Sequence, residues 1–162
     1  MNIIRLFVIA ALLLASNQLY AQHAKLLKGK GYKGFVFPKE YAVWGFPPEN
    51  GRYTPSSEDI ENAEEILANS MNTAYMLNKQ KQYKHPPINR KTLKRYIRQY
   101  VGHVLPDSSA VVEIFLHRGL DMNDEDFARD VLHVLDGGAN HWYIRVNLSK
   151  KEVSDMAVNG IS

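Results

Sequence analysis

The chain has 162 residues, 45% of them hydrophobic, a formal net charge of +3 and no Cys. Without Cys there is no disulfide framework, no Cys-bound zinc and no thiol nucleophile. This length suits one domain, held together by an ordinary packed core.

Residues 1–21 read as a secretory signal. Arg5 supplies the positive start, residues 6–15 are an unbroken apolar run, and Leu19-Tyr20-Ala21 places a small residue before the cut. The expectation is export, to the periplasm or out of the cell, with cleavage after Ala21. The apolar run is too short to span a bilayer and nothing later approaches one, so no transmembrane segment is expected after signal removal. The rest divides into residues 22–52, a mobile basic arm with a Pro- and aromatic-rich lead-in, and residues 53–162, a single α+β domain.

Within the arm, residues 23–34 hold four Lys and three Gly, and their composition predicts mobility. Gly29-Lys30-Gly31-Tyr32-Lys33-Gly34 fits the dinucleotide fingerprint letter for letter. The fingerprint needs a preceding strand and a following helix, and with Pro38 close behind the match carries no nucleotide reading. Pro38, Pro47 and Pro48 exclude a central strand, leaving residues 41–46 as a short edge strand.

A helix follows. Thr54-Pro55 reads as N-cap and first-turn Pro, with Ser56 and Asp59 as an alternative cap. Glu58, Asp59 and Glu61 lie where the helix dipole favours anions. Ile60, Ala63, Leu67, Met71 and Ala74 repeat at intervals of three and four, so the helix is expected to run to about Leu77 with that face buried. Beyond it, residues 96–104, 110–117, 131–135, 142–148 and 153–159 alternate as strands. Pro106-Asp107-Ser108-Ser109, Asp136-Gly137-Gly138 and Ser149-Lys150-Lys151 mark turns between them. Short connections imply antiparallel neighbours. The expected fold is α+β: one long helix packed on a four- to five-stranded antiparallel meander, with a core including Ile60, Leu67, Met71, Ile114, Leu116, Trp142 and Ile144.

The chemistry-bearing patterns are sparse. Residues 121–126 are acidic, but a helix-loop-helix calcium site wants Gly sixth and Glu twelfth, and Asp126 and Leu132 stand there. The six His form no His-x-x-x-His or His-Glu-x-x-His pair, so no helical zinc scaffold is present. There is no Gly-x-Ser-x-Gly elbow. A catalytic pocket would have to gather groups such as His103, Glu113 and Asp155. No metal and no cofactor is expected.

The basic stretch is the sharpest feature. Residues 53–78 carry five acids and no base, whereas residues 79–103 carry eight bases and no acid. Lys79, Lys81, Lys84, Arg90, Lys91, Lys94, Arg95 and Arg98 form a candidate polyanion-binding set, interleaved with Tyr83, His85, Tyr96 and Tyr100, whose aromatic rings are available for stacking. Tyr96, Tyr100, Tyr143 and Arg145 form a candidate exposed interaction face, being residue types enriched at interfaces. The expected function is that of an exported, non-catalytic binding module meeting an envelope or extracellular protein, with no nucleic acid as partner. The alternatives are a small enzyme with a pocket between helix and sheet, or a polyanion binder.

Arg52-Tyr53-Thr54-Pro55, Tyr96-x-Arg98-Gln99-Tyr100-x-Gly102, Leu135-Asp136-Gly137-Gly138 with Trp142, and Val158-Asn159-Gly160 together resemble small exported proteins of Gram-negative bacteria. These are generally of unknown function, so the resemblance implies localisation and architecture. One helix followed by an antiparallel meander is also similar to the cystatin-like architecture. Cystatin inhibitors carry Gln-x-Val-x-Gly at a hairpin tip, where this chain has Gln99-Tyr100-Val101-Gly102, one residue short and inside a predicted strand.

Overall fold

The computed structural model describes residues 23–43, 51–83 and 88–160, so the signal segment and Lys84 lie outside the described residues. In chain order the elements are β1 (Lys25–Gly29), β2 (Tyr32–Val36), β3 (Arg52–Tyr53), α1 (Ser57–Ser70), α2 (Ala74–Tyr83) and α3 (Arg90–Leu93). There follow β4 (Ile97–Val104), β5 (Ala110–His117), α4 (Asp124–Arg129), a 3₁₀ turn (Gly138–Asn140), β6 (His141–Asn147) and β7 (Glu152–Val158). Among the described residues seven strands make one sheet in the order β1-β2-β4-β5-β6-β7, and β3 also pairs with β4.

The expected single long helix on an antiparallel meander is overturned, and the cystatin-like architecture with it. The sheet is mixed, because β2 runs parallel to β4 from Lys33↔Ile97 to Val36↔Tyr100. The helices are short, α1 being 14 residues. The chain is α+β with an antiparallel-rich sheet, and no helix among the described residues is long and apolar enough to cross a membrane.

Three local differences have physical causes. The helix expected to reach Leu77 stops at Ser70, whose carbonyl accepts from the Thr73 N–H at 2.9 Å and from Thr73 Oγ1 at 2.8 Å. Thr73 then opens α2, its own carbonyl accepting from the Leu77 N–H at 3.0 Å. Residues 23–34, expected to be mobile, fall mostly within a hairpin of residues 25–36 instead. Its turn residue Gly31 has φ +88°, a conformation that suits Gly. The hairpin is tied down by the Ala24 N–H donating to Ala128 O at 2.8 Å and by an ion pair of Lys33 with Asp124. Residues 131–135 are not a strand. The N–H groups of Val131 and Leu132 donate to the side-chain oxygens of Tyr41 and Gln99 at 3.2 and 2.9 Å, so side chains supply what a ladder would have. The acidic stretch before them is capped by Asn123, which accepts from Glu125 and Asp126, and it opens α4.

Both faces of the sheet are covered. On one, Ile60, Ala63 and Leu67 of α1 and Met76 of α2 pack on Tyr100, Val112, Ile114, Leu116, Trp142 and Ile144. On the other, Phe127 of α4 joins Phe35, Phe37, Val101 and Phe115. The seven residues expected in the core are all 2% exposed or less. Gly34 is required where β2 meets β4, since a Cβ there would lie 2.5 Å from the Tyr100 ring and 2.7 Å from Arg98 O.

Candidate functional site

A groove of about 410 Å³ runs between α1 and the wall made by the β1–β2 turn and α3. Its α1 wall carries Glu61, Glu64, Glu65 and Ala68, spaced so that they share one side of the helix. That helix starts at Ser56 because Ser56 Oγ accepts from Asp59 N–H at 3.1 Å while Asp59 Oδ2 accepts from Ser56 N–H at 2.8 Å. The facing wall carries Lys30 and Tyr32 from the hairpin and Arg90, Leu93 and Lys94 from the α3 region. Asn89 caps α3 by accepting from Lys91 and Thr92, and buried Leu93 anchors it, so that Arg90, Lys91, Lys94 and Arg95 are exposed.

The floor is Arg98, 1% exposed. Its Nε and Nη2 donate to Glu64 Oε1 and Oε2 at 3.0 and 3.2 Å, and Nη1 donates to Tyr96 O at 2.6 Å. Tyr100 donates its hydroxyl to Glu64 Oε1 at 2.9 Å. The Tyr32 ring centroid lies 5.9 Å from the Arg98 guanidinium, a cation–π contact. Burial, then the Glu64 charge, raise the Tyr100 phenol well above its ordinary value. Burial, then Glu64 and Glu61, raise that of Tyr32, despite Arg98.

This geometry corrects the basic set. Arg98 is not a surface cation; its position on β4 turns it toward α1, where Glu64 meets it. Arg90 and Lys94 line the groove, while Lys91 and Arg95 are exposed beside them. Lys79 lies over the Tyr75 ring at 6.0 Å and Lys81 is exposed on α2, neither lining the groove. The exposed face is corrected too. Tyr100, on the same side of β4 as Arg98, is 0% exposed. Tyr96 is 3% exposed, packs edge-on against Trp142 at 5.8 Å and donates to Ala139 O at 2.6 Å. Tyr143 and Arg145 are half-buried on the opposite face.

There the strands bring together the residues whose convergence the sequence left open. Glu113 and Arg145 are directly paired across β5 and β6. Arg145 donates to Glu113 Oε1 through Nη2 at 2.9 Å and Nε at 3.2 Å, and its Nη1 lies 2.8 Å from Asp155 Oδ2. Asp155 reaches it from an irregularity in the β6–β7 register, where its φ is +51°. His103 Nε2 stands 3.5 Å from Glu113 Oε2. Neither of those two atoms, both buried, makes a hydrogen bond among the described residues. The result is a row of four polar side chains, His103–Glu113–Arg145–Asp155, across four strands.

A second pair escaped the sequence reading. His117 and His141 are opposite each other in the β5–β6 register, with Nδ1···Nδ1 at 3.2 Å, beside a cavity of about 180 Å³ also lined by His133. One Nδ1 must carry the proton and the other accept it. Because His117 Nε2 is buried without a partner, a proton on His117 Nδ1 is the arrangement that strands no N–H. Burial, then the neighbouring His141 and His133, lower the His117 value to about 3. Burial also lowers that of His141, against the opposing charge of Asp136. The β5–β6 register brings the strand-end residues 117 and 141 together, and with residues 118–140 between the two strands no local turn signals it in the sequence. Among the described residues, no group of three or more His, Asp or Glu is placed to hold a metal ion.

Compared with family models, curated proteins and solved structures, the chain finds no match.

Proposed function

We propose that the chain is exported and acts as a non-catalytic binding module whose ligand sits in the groove between α1 and α3. The observation that carries this is the state of the groove's charges. Arg98 and Glu64 satisfy each other in the floor, whereas Lys30, Arg90 and Lys94 on the rim make no ion pair among the described residues. A volume of about 410 Å³ falls in the range of small-ligand clefts. A depression of about 460 Å³ on the other flank of α1 has Lys151 as its one lining cation and no buried ion pair beneath it. A binding role is preferred to catalysis because Arg145 ties up one oxygen of Glu113 and the carboxylate of Asp155, which leaves His103 and Glu113 Oε2 buried, neither residue being among those that line the groove. Export is supported by Arg5, the apolar run and Leu19-Tyr20-Ala21, and it makes an envelope or extracellular molecule the partner.

Two measurements test this reading. Intact mass of the exported protein should show Gln22 at the N-terminus; a product retaining residues 1–21 would remove the export part. Thermal-shift screening of residues 22–162 against small charged metabolites should give stabilising compounds whose effect is lost in Lys94→Glu. Compounds that stabilise the variant equally would place binding elsewhere.

A further inference from the structure

The two walls of the groove carry opposite charge and do not pair with each other. Glu61 and Glu65 stand on α1, exposed; Lys30, Arg90 and Lys94 stand opposite, also exposed. No ion pair joins the two walls at the rim, although Lys and Arg side chains are long and flexible. Among the described residues the one cross-groove pair is Arg98 with Glu64, buried in the floor, where Tyr100 takes up further capacity of the carboxylate. The groove therefore holds a field directed from the hairpin and α3 toward α1, over a floor whose own charges cancel.

We propose, resting on the binding-module reading, that the groove takes a small zwitterion. Its ammonium lies against Glu61 and Glu65, and its carboxylate or phosphate lies against Lys30, Arg90 and Lys94. Single-sign ligands fit the same charges worse. A polyanion long enough to contact the basic rim meets Glu61 and Glu65 across the groove, and a polycation meets the three cations. A molecule with both charges gains at both walls and brings no net charge. The Tyr32 ring and Leu93 provide an apolar surface between the charged ends. A peptide with both termini free and a phosphoamine such as phosphoethanolamine share this chemistry, and the test separates them.

The probes are trialanine, N-acetyl-trialanine, trialanine amide and phosphoethanolamine, titrated into residues 22–162 and followed by amide chemical shifts. Trialanine or phosphoethanolamine should bind at least about tenfold tighter than either blocked peptide, a difference of about 1.4 kcal/mol. Perturbed amides should flank Lys30, Glu61 and Lys94, and the affinity should change little between low and moderate salt. Whichever of the two binds tighter identifies the anionic end. Glu61→Lys/Glu65→Lys should weaken the zwitterion while sparing N-acetyl-trialanine, and Lys94→Glu should weaken the zwitterion while sparing trialanine amide. Equal or tighter binding of N-acetyl-trialanine overturns the zwitterion inference and leaves the binding module standing as an anion site. Heparin retention that falls steeply with salt, with no response to the zwitterions, assigns the groove's cations to a polyanion instead. If neither zwitterion perturbs the groove at about 10 mM, well above the range in which even weak sites fill, the inference fails. The thermal-shift screen then decides separately whether the groove binds anything.

Discussion

The two faces of the sheet each bury a carboxylate, and they complete it differently. Under α1, both oxygens of Glu64 receive Arg98, and Tyr100 adds a third bond, so each polar side-chain atom of that network has a partner. On the opposite face, Glu113 Oε1 accepts from Arg145 while Oε2, among the described residues, meets only His103 at 3.5 Å, beyond a good hydrogen bond. The first arrangement fixes a helix to the sheet; the second is a chain of partial matches running out to solvent at Asp155. A closed network is expected to be costly to break and indifferent to its surroundings. An open one should yield more gently.

The largest effect should come from the closed side. Glu64→Ala leaves the Arg98 guanidinium buried and unpaired, and should cost about 3–5 kcal/mol in denaturant melts, with Glu64→Leu/Arg98→Met recovering much of it. A loss below about 1 kcal/mol would mean that the pair is reached by water. Leu67→Ala, in the same interface and fully buried, should cost about 2–5 kcal/mol through the cavity it leaves. An unmoved midpoint would show that α1 does not pack through this residue.

The other face should respond to acid. His117 is held near 3 in the folded state against 6.5 ordinarily. Between those values the unfolded chain binds more protons, so this contribution is complete above pH 6.5 and lost as pH falls toward 3. Between pH 7 and 5 the loss from His117 should be about 2 kcal/mol, read from denaturant midpoints, and His117→Phe should flatten that slope. Glu113→Gln keeps the shape of the row while removing its central charge, and should cost about 1–3 kcal/mol, less than Glu64→Ala. Equal losses would erase the distinction between the two networks. Asp155→Asn should be the mildest, within about 0.5 kcal/mol, because the site is exposed and Asn tolerates a positive φ.

The parts readable from sequence were those whose signals are local. α1 announces itself through Ser56, Asp59 and the spacing from Ile60 to Leu67, and β5 coincides with the alternation of residues 110–117. Asn72-Thr73 is a local break that the continuing apolar spacing to Met71 and Ala74 concealed. The hairpin of β1 and β2 was not readable. Its Lys and Gly composition has low strand propensity, and it becomes a sheet only by pairing with β4, far along the chain. The same separation hid the groove. Arg90 and Lys94 were legible as basic, but not that Lys30 and Glu61 would face one another across it. Arg98 was misplaced because a run of like charges gives no indication of which member turns inward. His103, Glu113 and Asp155 were identifiable as chemistry-bearing, but their meeting depends on strand register and on the irregularity at Asp155.

The parallel alignment of β2 with β4 also sets an order of events. Antiparallel neighbours β4 and β5, or β6 and β7, are joined by short turns and can zip locally. Lys33 finds Ile97 only by closing the loop of residues 34–96, a closure whose entropy cost rises with loop length. The N-terminal hairpin therefore docks late and is the part expected to detach first. Its amides should exchange with solvent faster than those of β5. Since Lys30 and Tyr32 complete one wall of the groove, the groove exists only while this last-arriving piece is seated, and a ligand spanning both walls would act as a clasp on it.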